Sequence, residues 1–275
     1  MSLFEVDQNK CLGDGKCAAE CPMGIIRFNE NVKFPAPVPG ADELCIDCGH
    51  CVAVCPKGAL ALKTMSPEQC LPMDEEWPLK KDLALQWLKA RRSIRSFKNQ
   101  SVDREIITEL IKVARYAPTG RNTQPVHWLV IHEPEEVRRL EELVIDWMRY
   151  MIKKQSPVAA RLTMDRVVSV WEAGGKTIIT FGAPHAIIAH TDKYADAGLE
   201  AGIIALTFLE LAVPTFDLGA CWAGYFNTAA KYWPPMKEAL ALPEGHEPCG
   251  AMMIGYPKFR YHRIPLRKPA SITWR

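Results

Sequence analysis

The chain has 275 residues, 48% of them hydrophobic, with 34 Lys and Arg against 32 Asp and Glu for a formal charge of +2. That even balance excludes a broad electrostatic footprint for nucleic acid or anionic lipid, so any polyanion must be held in a local site. The length allows a sizeable buried core and two domains, one of them small. Glu5 and Asp7 stand where a signal peptide needs an apolar core, and the longest apolar stretch, 201–216, is interrupted by Glu210 and Pro214. It is shorter than the roughly 18 residues of a membrane span. The expectation is a soluble cytoplasmic protein with no nucleic-acid or membrane partner.

Cysteine usage organises the N-terminal part. Of ten cysteines, seven lie within 11–55, leaving Cys70, Cys221 and Cys249 elsewhere. Cytosolic thiols stay reduced, which makes metal binding a better default than disulfides. "CIDCGHCVAVCP" places Cys45, Cys48, Cys51 and Cys55 at C-x2-C-x2-C-x3-C before Pro56. "CLGDGKCAAECP", about 34 residues earlier, repeats the frame with Cys11, Cys17 and Cys21 before Pro22, but has Asp14 at the second position. In such runs three ligands of a tight loop wrap one cubane while the fourth, before the proline, reaches the other cluster. Cys45, Cys48, Cys51 and Cys21 would then hold one 4Fe-4S cluster, and Cys11, Asp14, Cys17 and Cys55 the other. A zinc ribbon would use pairs of C-x2-C and leave three cysteines unused.

Residues 1–65 therefore resemble a bacterial-type two-cluster ferredoxin domain. Some ferredoxins of this type carry Asp at the altered corner, and a carboxylate is a feasible though harder iron ligand than thiolate. The resemblance implies a labile iron at Asp14 and a first cluster that interconverts with a 3Fe-4S form. The alternative is that Asp14 only caps a turn and that water or nothing fills the corner.

Residues 66–84 read as a linker. "MSPEQCLPMDEEWP" (65–78) concentrates three prolines and acidic residues without an apolar period, and Cys70 within it has no ligand role left to fill. A helix follows over 79–92. A second starts from Ser101 as N-cap, with Ile106, Leu110, Val113 or Ala114, and Ala117 at helical spacing before Pro118. "HWLVIH" (127–132) reads as a buried strand, 135–151 as a periodic helix, "AIIAH" (186–190) as a strand, 196–211 as a mostly buried helix, and "AMMIGY" (251–256) as the last strand before an irregular tail. The mixed order predicts an α+β fold, a sheet with helices on its faces. Two glycine motifs fail their context. "GDGKCA" (13–18) has no strand before it, and "GGKT" (174–177) has Val170 where a phosphate loop needs glycine.

Three short runs carry chemistry. "RRSIR" places Arg91, Arg92, Ser93 and Arg95 within five residues, enough donors to fork a phosphate, although alone it also fits a solvated basic turn. "APTGRNTQP" (117–125) offers Pro118, Thr119, Gly120, Asn122 and Gln124 to a planar polar ligand, as an ordinary loop also would. "LGACWAGYF" (218–226) has small residues suited to close approach or to core packing. In this order, with "PLRKP" (265–269) after them, they resemble the nitroreductase family of FMN enzymes over 85–275.

That resemblance implies an α+β homodimer with FMN at each of two subunit interfaces, preceded here by the small ferredoxin-like domain. Arg91, Arg92, Ser93 and Arg95 would bind the FMN phosphate and ribityl chain, joined by Arg267 and Lys268. Pro118, Thr119, Gly120 and Asn122, with Gln124 in the same loop, would line the isoalloxazine from the other subunit. Trp222, Ala223 and Gly224 would pass beside the flavin. Residues 150–170 fall where the family carries a variable lid, so the substrate does not transfer. No catalytic side chain is assigned, because His127, His132, His185 and His190 flank strands as structural histidines do, and Cys221 fits a small buried residue.

Clusters pass single electrons, whereas reduction of a nitro group, quinone or enone needs electrons in pairs, and a flavin converts between the two. The expected function is a ferredoxin-fused, FMN-dependent reductase fed by an external low-potential donor and acting on a small acceptor. The competing reading is a non-catalytic electron carrier or redox sensor with a protein acceptor. A flavin-consuming or dehalogenating relative on the same fold stays open, its distinguishing residues lying in the lid.

Overall fold

The computed structural model describes residues 2–28, 33–73, 79–174 and 177–275. The expected linker's residues 74–78 and residues 175–176 of "GGKT" lie outside them. The chain divides into two units, Met1–Leu79 with Arg121–Thr123, and Lys80–Gly120 with Gln124–Arg275. The division at 79/80 falls inside the segment read as a linker.

In chain order the first unit runs β1 (Phe4–Val6), α1 (Lys16–Ala19), β2 (Ile26–Arg27), β3 (Ala36–Pro37), α2 (Ala41–Leu44), α3 (His50–Ala53) and β4 (Leu60–Leu62). β1 pairs antiparallel with β4, and β2 with β3. A left-handed glycine opens the same one-turn helix in each cysteine frame, Gly15 (φ 68°) before α1 and Gly49 (φ 71°) before α3. A Cβ at Gly15 would lie 2.8 Å from Phe28, and one at Gly49 2.6 Å from Met65, so neither position admits a side chain. Phe4, Ile25, Ile26, Val52, Leu60 and Leu62 form the core. A core this small leans on bound metal for part of its stability.

The second unit continues with α4 (Lys81–Ala90), α5 (Arg104–Ala114), β5 (His127–Ile131), α6 (Pro134–Lys153), α7 (Pro157–Arg161), α8 (Met164–Glu172), β6 (His185–Asp192), α9 (Gly198–Ala212), β7 (Gly219–Trp222), α10 (Gly224–Tyr232), α11 (Pro234–Leu240) and β8 (His246–Gly255). The strands form an antiparallel sheet in the order β5-β6-β8-β7. Both faces are covered, so β6 and β8 are apolar without alternation. On one face Leu140, Ile145 and Met148 of α6, Met164 of α8 and Phe226 of α10 meet Ile188 and Met253. On the other, Ile107 and Leu110 of α5 with Leu206 and Leu209 of α9 meet Ile187, Met252 and Ile254. Each such fully buried side chain contributes about 1.5–3 kcal/mol, and the result is the expected sheet between helices.

Several local expectations differ from what the chain does. β8 begins at His246 rather than Ala251, because a register shift at Ala189/His190 admits Pro248 into the ladder, and a bulge is where an inner strand tolerates proline. β7 was not expected; four residues, "GACW", are too short to show a period. Asp103, not Ser101, is the N-cap of α5, and Ser101 Oγ sits 3.3 Å from His185 Nε2 instead. Within the segment expected as a lid, and without bearing on that role, Ala159, Met164, Val167 and Val168 are buried, and Tyr225 Oη donates to Leu162 O at 2.9 Å. The run Gly198–Phe216, with a mean hydropathy of 1.6, has the length and composition of a membrane span, but Ala201, Ala205, Leu206 and Leu209 are buried as in a core helix.

Candidate functional site

Two cavities lie in the first unit, each lined by residues of both cysteine frames. Cys11, Asp14, Cys17 and Cys55 line one; Cys21, Cys45, Cys48 and Cys51 line the other. Asp14 stands just before Gly15 as Cys48 stands just before Gly49, so the carboxylate takes the place of the missing thiol. Its Oδ2 lies 3.1 Å from Lys16 Nζ, and hydrogen bonding to Lys16 holds its pKa below the usual carboxylate value. Burial pushes the Cys51 thiol up to about 11, with Cys21 and Cys48 adding to the rise. Burial raises Cys17 likewise, helped by Cys11 and Cys55. Seven thiols with one carboxylate, four groups to a cavity, fit iron-sulfur clusters. The Ala59 N–H donates to Cys55 Sγ at 3.2 Å, the kind of bond that tunes a cluster thiolate. Cys70 lines neither cavity; its thiol donates to Ser66 O at 3.4 Å.

Asn122 belongs to this unit too, its Nδ2 donating to Ile46 O at 3.2 Å and Asp47 O at 3.0 Å, the carbonyls between Cys45 and Cys48. Arg121, Asn122 and Gln124 all have left-handed backbones, φ 50°, 56° and 46°. Non-glycine residues persist there only when their surroundings enforce it, a common mark of a functional loop. Thr119 Oγ1 accepts from the Gln124 N–H at 3.0 Å and closes the turn.

In the second unit the guanidinium run lies along β7. The Ile94 N–H donates to Ala220 O at 2.9 Å, and a Cβ at Gly219 would come within 2.5 Å of Ile94 Cγ1, so only glycine permits the approach. Arg91 Nη1 donates to Glu210 Oε1 at 2.8 Å. The Arg92 guanidinium lies 5.8 Å from the Tyr261 ring centroid and its Nε is buried without a hydrogen-bond partner. The Arg95 guanidinium is 5.7 Å from the centroid of Phe181. A cavity of about 220 Å³ is lined by Arg91, Arg92, Glu210, Ala220 and Tyr261 among others.

Trp222 Nε1 donates to Glu210 Oε2 at 3.2 Å, the Ala223 N–H donates to Ala251 O at 2.8 Å, and a Cβ at Gly224 would meet nothing within 4 Å. An orphaned guanidinium nitrogen, an arginine-rich segment beside β7 and open space beside Gly224 fit a phosphate-bearing flavin. Cys221 is buried, which raises its thiol pKa. Arg267 and Lys268 lie on an exposed tail without regular structure.

The histidines make structural contacts. His185 Nε2 accepts from the Val102 N–H at 2.8 Å, which leaves its proton on Nδ1, 2.6 Å from His132 O. His190 Nδ1 is 2.9 Å from His246 Nδ1. Glu210 is the residue that motif reading passed over. It entered only as an interruption of an apolar run, yet its place four residues after buried Leu206 puts it on the buried face of α9.

Comparison with known proteins places this geometry. The model of the nitroreductase family matches residues 88–256. The chain belongs to the nitroreductase family. A 4Fe-4S dicluster domain model matches residues 10–60, so a ferredoxin-type domain stands in front of the nitroreductase-family part. It is 27% identical to iodotyrosine deiodinase 1 of Sus scrofa over 176 residues, 62% of this chain and 60% of that protein. It is 23% identical to a putative NADH dehydrogenase/NAD(P)H nitroreductase of Archaeoglobus fulgidus over 175 residues, 63% of this chain and 85% of that one. An FMN-bound nitroreductase from Bacteroides fragilis superposes with a TM-score of 0.56 at 19% identity, over 71% of this chain and 98% of its own, a likeness of fold.

Proposed function

We propose that this nitroreductase-family chain is an FMN-dependent reductase that draws electrons from an external low-potential donor through two iron-sulfur clusters and reduces a small acceptor such as a nitro compound, quinone or enone. The observation that carries the reading is the hydrogen bond from the Ile94 N–H to Ala220 O at 2.9 Å, which brings the segment bearing three arginines and Ser93 beside the one leading to Trp222 and Gly224. When bound, the clusters supply single electrons and FMN supplies the exchange between single and paired ones.

The chain's own residues have separate tasks. Cys21, Cys45, Cys48 and Cys51 would hold one 4Fe-4S cluster; Cys11, Asp14, Cys17 and Cys55 would hold the other, with the Asp14 oxygen the ligand that would favour a 3Fe-4S form. Arg91, Arg92, Ser93 and Arg95, with Arg267 and Lys268, fix the phosphate. Trp222, Ala223 and Gly224 border the flavin ring, and Pro118, Thr119, Gly120, Asn122 and Gln124 reach it from a second copy in a homodimer. A cytoplasmic location is supported by ten free thiols.

Stopped-flow mixing of the reduced protein with nitroaromatics, quinones and enones is expected to reoxidise the flavin faster than the background rate. If none does so, the carrier reading replaces the reductase. A second reading, reductive dehalogenation of a halophenol, is favoured by the similarity to iodotyrosine deiodinase, and adding 3-iodotyrosine to the same panel separates the two by halide release.

A further inference from the structure

A carboxylate buried in an apolar helix costs several kcal/mol unless it is paired, and even a well-paired one is commonly matched in stability by a hydrophobic replacement. Glu210 is such a group. Its side chain is 8% exposed, it sits in the run "GIIALTFLELA" of α9, and its two oxygens serve two different motifs. Oε1 accepts from Arg91 Nη1 at 2.8 Å, and Oε2 accepts from Trp222 Nε1 at 3.2 Å. Arg91 Nη1 also lies 3.5 Å from Ser93 Oγ, so the carboxylate orders the first half of the arginine run.

Trp222 is fixed on its other side by close packing. A Cβ at Gly250 would lie 2.7 Å from Trp222 Cζ3, which means the indole lies directly on that glycine's backbone. Packing alone leaves the polar edge of the indole to be fixed by its N–H, and Glu210 holds that N–H.

We propose that Glu210 is a positioning residue of the flavin site: it sets the Arg91 fork and the Trp222 indole in one register, so that the phosphate-binding and ring-flanking segments meet the same flavin. This rests on the flavin reading above and adds to it a residue outside every motif. An aspartate keeps the charge with shorter reach. A glutamine keeps the volume but offers one acceptor oxygen to two donors, and its amide nitrogen faces one of them.

The test is the rate of FMN release from the anaerobically purified holoprotein, followed by recovery of flavin fluorescence on dilution, for wild type, E210Q, E210D, Trp222→Phe and the double variants. E210Q is expected to release FMN about tenfold or more faster, and E210D by a clearly smaller factor. Trp222→Phe is expected to add little once residue 210 is Gln, the non-additivity of two residues acting as one unit. A purely structural Glu210 would lower the melting temperature and leave release from the folded fraction unchanged. Wild-type release by E210Q, or factors that multiply independently, would overturn the proposal. Should E210Q not accumulate, the cycle of E210D with Trp222→Phe decides by the same criterion. Wild-type protein without FMN would sink the flavin reading and this inference together, whereas flavin-loaded wild type with an unaffected E210Q sinks this inference alone.

Discussion

In the proposed first cluster Asp14 would be the distinctive ligand. Its carboxylate lines the cavity of Cys11, Cys17 and Cys55 while paired with Lys16, so a hard oxygen ligand and a competing cation would act on one iron corner. Air-oxidised wild type is therefore expected to show a 3Fe-type paramagnetic resonance signal, and Asp14→Cys to abolish it; identical spectra would show that Asp14 is not the labile ligand. Arg92 makes a second case. A buried donor without an acceptor costs about 1–3 kcal/mol, and Arg92 Nε is such a donor unless a phosphate oxygen reaches it. Arg92→Ala is expected to weaken FMN binding by about tenfold or more, and an unchanged dissociation constant would remove Arg92 from the site. Both residues stand out in sequence because their neighbours form spaced motifs. Glu210 does not, because one acid in an apolar helix has no motif and its meaning depends on which face the helix buries.

At the level of elements, helices were read well wherever one apolar face repeats, as in α5 and α6, while β7 and the front of β8 escaped because four residues carry no period and Pro248 argues against a strand until a bulge receives it. β7 nevertheless carries the site. Gly219→Ala is expected to push Ile94 and its arginine run off the strand, costing about 1–3 kcal/mol of stability and loosening FMN; an unchanged melting curve and FMN affinity would contradict the close packing at Ile94. Three neighbouring strands, β5, β6 and β8, bring His127, His190 and His246 together, with ring centroids 4.8–5.6 Å apart. Burial first, then His246 and His127, push His190 down to about 4 from 6.5. Because the folded pKa is the lower one, this stability is complete above pH 6.5 and is lost as pH falls from there towards 4, by at most about 3 kcal/mol. Urea unfolding of the second unit at stepped pH should show that loss, and His190→Asn should flatten it; equal slopes would place the proton elsewhere.

On the scale of the whole molecule, the homodimer belongs to the proposed function, and α9 exposes Leu199 and Ile203, one turn apart, at 47 and 40%, where a second copy would pack. Light scattering is expected to give twice the chain mass of 30.9 kDa, with Ile203→Glu shifting it towards the monomer; a monomeric wild type would remove the shared flavin site. Domain order and both cofactor classes were legible in sequence, since cysteine spacing and motif order survive without knowledge of packing, whereas the acceptor was not, because no spacing rule in residues 150–170 names one. The most direct measurement is purification under strict anaerobiosis with iron, acid-labile sulfide and flavin quantified on one preparation. Stoichiometric FMN together with iron and sulfide for two clusters is the expected result, and a colourless protein lacking them would contradict the joint iron-sulfur and flavin chemistry proposed for this chain.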